Sequence, residues 1–231
     1  MRPSGTNLAI FLIAGLAAIA TFVMTAEADN QSADQVPIEY SDERAEAVFA
    51  GGCFWCIESD FDKVLGVIET TSGYTGGALA NPTYKQVSYT ETGHFEALKV
   101  VYDPQAVSYS ELVEYFWRHI DPTDGGGQFC DRGTSYLTAI FPANDDQAQI
   151  AQSSLEALET SNVLGNPIKT VIKPLTVFWP AEEYHQNYYK KNPIHYSRYR
   201  RGCGRDARVA DVWANEASAV AVEASANGYG S

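Results

Sequence analysis

The apolar positions of the chain fall into short runs that switch between two periods. Ala45 to Ala50 is mostly apolar and predicts a strand. After Gly51 and Gly52, the residues Phe54, Ile57, Phe61, Val64 and Leu65 recur at the spacing of one helix face. Val67 to Tyr74 predicts a second strand, closed by the turn-rich Gly73-Tyr74-Thr75-Gly76-Gly77, and Asn81-Pro82-Thr83-Tyr84 opens a short helical piece. His94 to Tyr102 alternates. Glu96, Leu98, Val100 and Tyr102 share one face and Phe95, Ala97, Lys99 and Val101 the other, which leaves Glu96 in apolar company.

Ser108 to Ile120 predicts a helix. Ser108 and Glu111 form a capping box, and Leu112, Val113, Phe116, Trp117 and Ile120 form the buried stripe that ends at Asp121-Pro122. A glycine-rich loop, Asp124 to Gly133, carries Cys130 and Asp131, and no Gly-Lys-Ser/Thr follows it to make a phosphate loop. A strand over Ser135 to Phe141 and a helix over Asn144 to Ser161 come next, the helix with Ile150, Ala151, Leu155 and Leu158 inward. Short strands are expected at Val171-Ile172 and Leu175 to Phe178, and a short helix over Glu182 to Lys190. Beyond Pro193 the pattern gives way to basic, irregular chain. Strands mixed with helices, and no internal repeat, predict one α/β or α+β domain.

The flanks are of different character. Arg2, the 17-residue apolar run Leu8 to Met24 and Ala26-Glu27-Ala28 make residues 1–28 an export signal, with an uncleaved membrane anchor as the rival reading. The small-x-small site and the polar residues after it favour cleavage. Either way the folded part is expected outside the cytoplasm, periplasmic or anchored facing the periplasm, and membrane contact is expected only through this run. Residues 29–44 read as a flexible lead-in, 45–210 as the domain, and 211–231, rich in Ala, Ser, Glu and Gly, as a disordered tail.

Composition narrows the partners. A net charge of −13 over 231 residues argues against nucleic acid. Seven of the sixteen Lys and Arg nonetheless lie between Lys190 and Arg208, a run first read as solvated surface. Four cysteines, Cys53, Cys56, Cys130 and Cys203, are too few for a disulfide scaffold of this size.

Cys53 stands where the first strand turns into the first helix, a place where backbone N–H groups and the helix dipole favour a thiolate. Its C-x-x-C spacing with Cys56 fits a thiol–disulfide oxidoreductase, a structural disulfide or half of a metal site. Zinc is disfavoured because no second C-x-x-C and no H-x-x-x-H exists. His185 falls outside the H-E-x-x-H order and reads as a hydrogen-bonded core or surface histidine. The intervening Phe54 and Trp55 suit the wall of a small apolar pocket better than a dithiol that must meet many protein partners.

Six pieces occur in an order that resembles peptide methionine sulfoxide reductase A: Gly52-Cys53-Phe54-Trp55, Gly73-Tyr74-Thr75-Gly76-Gly77, Asn81-Pro82-Thr83-Tyr84, Gly93-His94-Phe95-Glu96-Ala97, Asp131-Arg132-Gly133-Thr134-Ser135-Tyr136 and Lys191-Asn192-Pro193. The likeness runs from about Val48 to Pro193 and more loosely to Arg208. It implies a two-layer, ferredoxin-like α/β sandwich around a mixed sheet. It also implies reduction of the S epimer of methionine sulfoxide, free or in proteins, as repair under oxidative stress. By the same resemblance Cys53 is the attacking thiolate, Phe54 and Trp55 hold the S-methyl group, and Glu96 protonates the sulfoxide oxygen. Tyr84 and Tyr136 give hydrogen bonds to that oxygen, and Asp131 helps organise the site. No metal or organic cofactor is implied, and the partners are the sulfoxide and a thioredoxin-like reductant; a monomer is expected.

The chemistry suits these residues. A sulfoxide sulfur is a poor electrophile until its oxygen is protonated or strongly hydrogen-bonded, so the site needs a thiolate on one side and donors on the other. Glu96 on an apolar strand face is expected to have a raised pKa. The chain departs from part of the family at the second thiol, because Ser197 stands four residues after Pro193 where many members carry cysteine. Cys56, one helical turn from Cys53, ranks just ahead of Cys203, whose neighbours Arg200, Arg201 and Arg205 are expected to lower its pKa; Cys130 is third. That expectation also recasts the basic run as serving the thiol or docking the reductant. A general thiol–disulfide oxidoreductase and a non-catalytic binder of oxidised or apolar peptides are the rival functions.

Overall fold

A computed structural model describes residues 42–214. In chain order it holds β1 (Ala45–Gly51), α1 (Phe54–Phe61), β2 (Val67–Thr75), α2 (Tyr84–Tyr89), β3 (Phe95–Tyr102) and α3 (Tyr109–Trp117). These are followed by β4 (Gly127–Gln128), β5 (Asp131–Arg132), β6 (Thr138–Ile140), α4 (Asp145–Ser161), β7 (Val171–Ile172) and β8 (Trp179–Pro180). Three helices close the described chain: α5 (Tyr188–Lys191), α6 (Pro193–Gly202) and α7 (Arg205–Val212).

The sheet runs β7-β6-β1-β3-β2-β8. Its pairs are antiparallel except β6 with β7, so the sheet is mixed. β1 and β2 are both antiparallel to β3, which lies between them, so α1 makes a split β-α-β crossover; α3 does the same from β3 to β6. This is the β-α-β-β-α-β plan of the ferredoxin-like sandwich that the motifs implied.

Both faces of the sheet are covered, which explains the nearly unbroken apolar run of β1. Ala47, Phe49, Leu98, Val100, Tyr102 and Ile140 face the helices and pack with Ile57, Phe61, Leu112, Val113, Phe116 and Trp117. The rings of Phe61 and Phe116 each stack on Phe49 at 5.1 Å. On the opposite face Val48, Ala50, Phe95, Ala97, Ala139 and Phe141 pack under Leu137, Leu175 and Phe178. The capping box of α3 forms as its sequence dictates, with Ser108 Oγ accepting from the Glu111 N–H and the Glu111 carboxylate accepting from the Ser108 N–H; Thr83 and Gln86 do the same for α2.

Several expectations are corrected. α1 stops at Phe61 and a turn leads to Gly66, so Leu65 leaves the apolar face and stands 62% exposed. The strand expected from Ser135 begins only at Thr138, because Thr134–Tyr136 is a single 3-10 turn that swings Tyr136 off the sheet. The strand expected at Leu175 to Phe178 falls instead at Trp179–Pro180. Of the helix expected over Glu182 to Lys190 only the end is helical, since Asn187 adopts a left-handed backbone (φ 53°) before α5.

The largest correction lies after Pro193. The segment expected to be irregular forms two helices, with Pro193 in the first turn of α6 and Gly204 (φ 68°) starting α7. Folded chain also passes the expected boundary at 210: Trp213 is buried, donates from its indole N–H to the Ile120 carbonyl (3.2 Å) and lies under the Arg118 guanidinium (4.2 Å). Among the described residues no helix is long and apolar enough to cross a membrane. Residues 1–28, the lead-in up to residue 41 and the tail from 215 lie outside the described residues.

Candidate active site

β1 delivers the chain to the site. Its pairing with β3 ends at Phe49 opposite Leu98, so the turn after Gly51 lies at the level of Glu96, two residues before Leu98 on β3. Gly52 makes that turn with φ +80°, and a Cβ there would stand 2.5 Å from the Gln128 Cβ, so only glycine fits. Cys53 is the N-cap of α1, and the next backbone N–H, that of Phe54, donates to Glu96 Oε2 (3.0 Å).

Seven residues picked out from the sequence, Cys53, Phe54, Trp55, Tyr84, Glu96, Asp131 and Tyr136, line one cavity of about 70 Å³. That is roughly the liquid volume of two waters. Tyr199 completes its wall. The walls are aromatic and fixed. Trp55 stacks on Tyr188 (3.7 Å, 7°), meets Tyr199 edge-on (5.8 Å, 80°) and donates from its indole N–H to His185 Nδ1 (3.0 Å). Phe54 packs against the rings of Tyr74, Tyr84 and His185.

The segment behind these rings is pinned to the body of the fold. Glu182 accepts from the Tyr74 hydroxyl (3.0 Å) and the Tyr84 N–H (2.9 Å), and Glu58 accepts from the Asn187 N–H (2.9 Å). Burial pushes the His185 pKa down to about 4, so its ring is neutral and carries its proton on Nε2, as the bond from Trp55 requires.

Glu96 is 1% exposed. Burial pushes its pKa up to about 8, helped by the charge of Asp131 and opposed by the hydrogen bonds from Phe54 and Tyr136. At neutral pH it is an acid with a proton to give, as its apolar strand face predicted. Tyr84 and Tyr136 hydrogen-bond each other; burial foremost, then the Glu96 charge, raises both above the usual tyrosine range, so both remain hydroxyl donors.

The two thiols of the C-x-x-C are free and buried, and a hydrogen bond joins their sulfurs. Burial and the charges of Cys56 and Glu96 push the Cys53 thiol well up, whereas the hydrogen bond from Cys53 and the guanidinium groups of Arg205 and Arg200 pull Cys56 down. This corrects the expectation that the helix terminus favours a Cys53 thiolate: burial and the neighbouring Cys56 outweigh it, and Cys56 is the thiol that is pulled down.

The basic run is corrected as well. Arg200 pairs with the buried Asp60 (2.8 Å), and Arg205, 1% exposed, donates to the carbonyls of Gly51 (3.2 Å) and His119 (2.7 Å). Their charge reaches Cys56 instead of Cys203, for Cys203 is joined to Cys130 in a disulfide. Among the described residues the one cluster of potential metal ligands is Cys130, Asp131 and Cys203, and two of its three members are in that disulfide.

Sequence reasoning missed Tyr188 and Tyr199. The Tyr199 hydroxyl donates to Asp131 Oδ2 and also reaches the Cys53 sulfur. Their signal was the density of tyrosines from Tyr188 to Tyr199, which has no apolar period to mark a buried face.

The sequence model of the family described as peptide methionine sulfoxide reductase matches residues 45–217. The chain belongs to the peptide methionine sulfoxide reductase family. Peptide methionine sulfoxide reductase MsrA 2 of Rhizobium meliloti is 53% identical over 173 residues, 75% of this chain and 85% of the relative. The MsrA of Bacillus pumilus is 48% identical over 176 residues, 76% of this chain and 99% of the relative. Among solved structures, methionine sulfoxide reductase A of Corynebacterium diphtheriae aligns with a TM-score of 0.60 and 34% identity, covering 67% of this chain and 77% of that one. Like these methionine sulfoxide reductases, the chain is an oxidoreductase, a peptide-methionine (S)-S-oxide reductase that uses thiols to return methionine sulfoxide to methionine and so repairs protein.

Proposed function

We propose that Cys53 is the sulfur that attacks the substrate, Glu96 the acid that meets it, and Cys56 the thiol that resolves the product. The observation that carries this is a buried carboxyl, its pKa raised by burial to about 8, lining the same small aromatic cavity as a buried thiol. As the sulfoxide enters, the proton of Cys53 passes along the sulfur–sulfur hydrogen bond to Cys56. The Cys53 thiolate attacks the sulfoxide sulfur while Glu96 gives its proton to the oxygen, which also receives hydrogen bonds from Tyr84 and Tyr136. The oxygen then passes to the Cys53 sulfur: a Cys53 S–O bond forms, the substrate S–O bond and the bond between the two sulfurs break, methionine leaves with two more electrons, and Cys53 is left as a sulfenic acid.

The Glu96 carboxylate takes the proton of Cys56. Arg200 and Arg205 favour the thiolate this leaves. Cys56 then attacks the Cys53 sulfur, the S–S bond forms, and the hydroxyl departs as water with the proton of Glu96. One thiol, one thiolate, the proton of Glu96 and one sulfoxide have become a disulfide, methionine, water and a Glu96 carboxylate that is reprotonated before the next cycle. Opening that disulfide takes a dithiol, which supports a thioredoxin-like protein as reductant. Phe54 and Trp55 are the walls against which a methyl group packs.

An exported location follows from the same reading: the run Leu8 to Met24 with Ala26-Glu27-Ala28 supports it, and a Cys130–Cys203 disulfide suits an oxidising compartment. The site assignment is tested by following both epimers of methionine sulfoxide with dithiothreitol as reductant. The S epimer is consumed, the R epimer is not, and Cys53→Ser abolishes the reaction; consumption by Cys53→Ser removes Cys53 from its role.

A further inference from the structure

Two of the four cysteines have no place in this cycle. Cys130 and Cys203, 73 residues apart, are bonded to each other. Each sits next to a wall of the cavity. Cys130 immediately precedes Asp131, and Cys203, which caps the end of α6, lies four residues, one helical turn, beyond Tyr199, so the two side chains lie on the same side of the helix. Asp131 and Tyr199 meet directly, through the Tyr199 hydroxyl and Asp131 Oδ2, and Cys203 Sγ lies 4.0 Å from the same oxygen. The loop and the helix are therefore joined twice at one place, once by the disulfide and once by the hydrogen bond that carries Tyr199 to Cys53.

The loop needs holding. Phe129 next to Cys130 has a left-handed backbone (φ +57°), a conformation costly for a non-glycine residue, and the Arg205 guanidinium covers its ring at 4.6 Å. Cys53 and Cys56 already supply both thiols that one turnover consumes.

We propose that the Cys130–Cys203 disulfide is a permanent clamp that stays oxidised through the catalytic cycle and positions Tyr199 and Asp131 against Cys53. It acts through Tyr199 and touches no substrate, so its members are positioning residues. The inference rests on the assignment of Cys53 as the attacking thiol.

The test is a double-mutant cycle on the full chain. Cys130→Ser/Cys203→Ser, Tyr199→Phe and their combination are assayed on the S epimer with a thioredoxin, its reductase and NADPH, so that no excess of small dithiol opens the exposed disulfide. Loss of the clamp lowers kcat about ten- to a hundredfold with KM within about twofold, the scale of a misplaced catalytic group. In the Tyr199→Phe background its loss costs nothing further. Losses that multiply across the two backgrounds place the effect elsewhere and overturn the proposal.

Differential alkylation and mass mapping of the unmodified chain during turnover decide the matter even if the serine pair does not fold. Cys53 and Cys56 alternate between thiol and disulfide while Cys130–Cys203 stays intact. A Cys53–Cys203 link, or Cys130 and Cys203 that alternate with turnover, refutes the clamp. Activity surviving in Cys53→Ser overturns the assignment beneath it, whereas Cys53-dependent activity with multiplying losses overturns the clamp alone.

Discussion

Glu96→Gln separates what this carboxyl does for catalysis from what it costs the fold. The ordinary carboxyl pKa is 4.5, and burial lifts that of Glu96 to about 8. The folded state thus holds this proton more tightly than the unfolded chain does. The stability it contributes is complete below pH 4.5 and is lost as pH rises toward 8, at about 1.4 kcal/mol per pH unit. Over the whole window this comes to about 5 kcal/mol, a large share of the 5–15 kcal/mol typical of a domain.

Glutamine keeps the shape and accepts from the Phe54 N–H but has no proton to lose. Urea unfolding at a series of pH values should therefore show Glu96→Gln close to wild type at pH 4.5 and more stable by several kcal/mol at pH 8. Glu58, which burial lifts to about 7, adds a slope of the same sign to both proteins and cancels in the difference. At the same time kcat should fall by about 10² to 10⁴, the range for loss of a general acid. Parallel stability curves would refute the buried protonated carboxyl. A stabilised variant with unchanged kcat would leave Glu96 buried but remove it from the chemistry.

Three further outcomes follow from the same geometry. Cys56→Ser should lose turnover with a thioredoxin as reductant and keep only a slowed dithiothreitol-supported reduction, measured as methionine formed, because serine does not take the Cys53 proton; full thioredoxin-supported turnover would reassign the resolving thiol. Gly52→Ala should destabilise the protein by about 1–3 kcal/mol in urea, because φ +80° and the 2.5 Å approach to Gln128 leave a side chain no room, while Gln128 is held by hydrogen bonds to Asp121. His185→Phe should keep the ring packing but leave the Trp55 indole N–H without its acceptor, raising KM for the sulfoxide several-fold, with little pH dependence between 5 and 8 because His185 stays neutral there.

The front of the site was legible in the sequence because it is built on regular elements. The apolar run of β1, the two glycines and the helical spacing after them put Cys53 at a strand-to-helix turn, and the alternation of β3 put Glu96 on a buried face. The back of the site was not legible. α6 buries only Tyr196 fully, so no apolar period reveals it as a helix or points to Tyr199. Arg205 looked like one more surface cation. It is buried because the Gly51 and His119 carbonyls replace water around its guanidinium. The pairing of Cys130 with Cys203 depends on how α6 folds back over the glycine-rich loop, which spacing along the chain does not encode. The Cys53 pKa is set by burial of the sulfur and by its neighbour Cys56, which depend on how the chain packs around the start of α1 and not on the helix terminus alone.

The central claim is that the Cys53 sulfur takes the oxygen from the substrate. It is tested most directly by trapping the product of one turnover. Reduced Cys56→Ser, which cannot resolve the intermediate and attacks more slowly because serine does not take the Cys53 proton, is given the S epimer until the reaction is complete in the presence of a sulfenic-acid-specific dione, and the label is mapped by mass spectrometry. One label per chain, on Cys53, with one methionine released, is the expected result, and the R epimer should give neither. Methionine released with no label on Cys53, or with the label on another cysteine, would contradict the account.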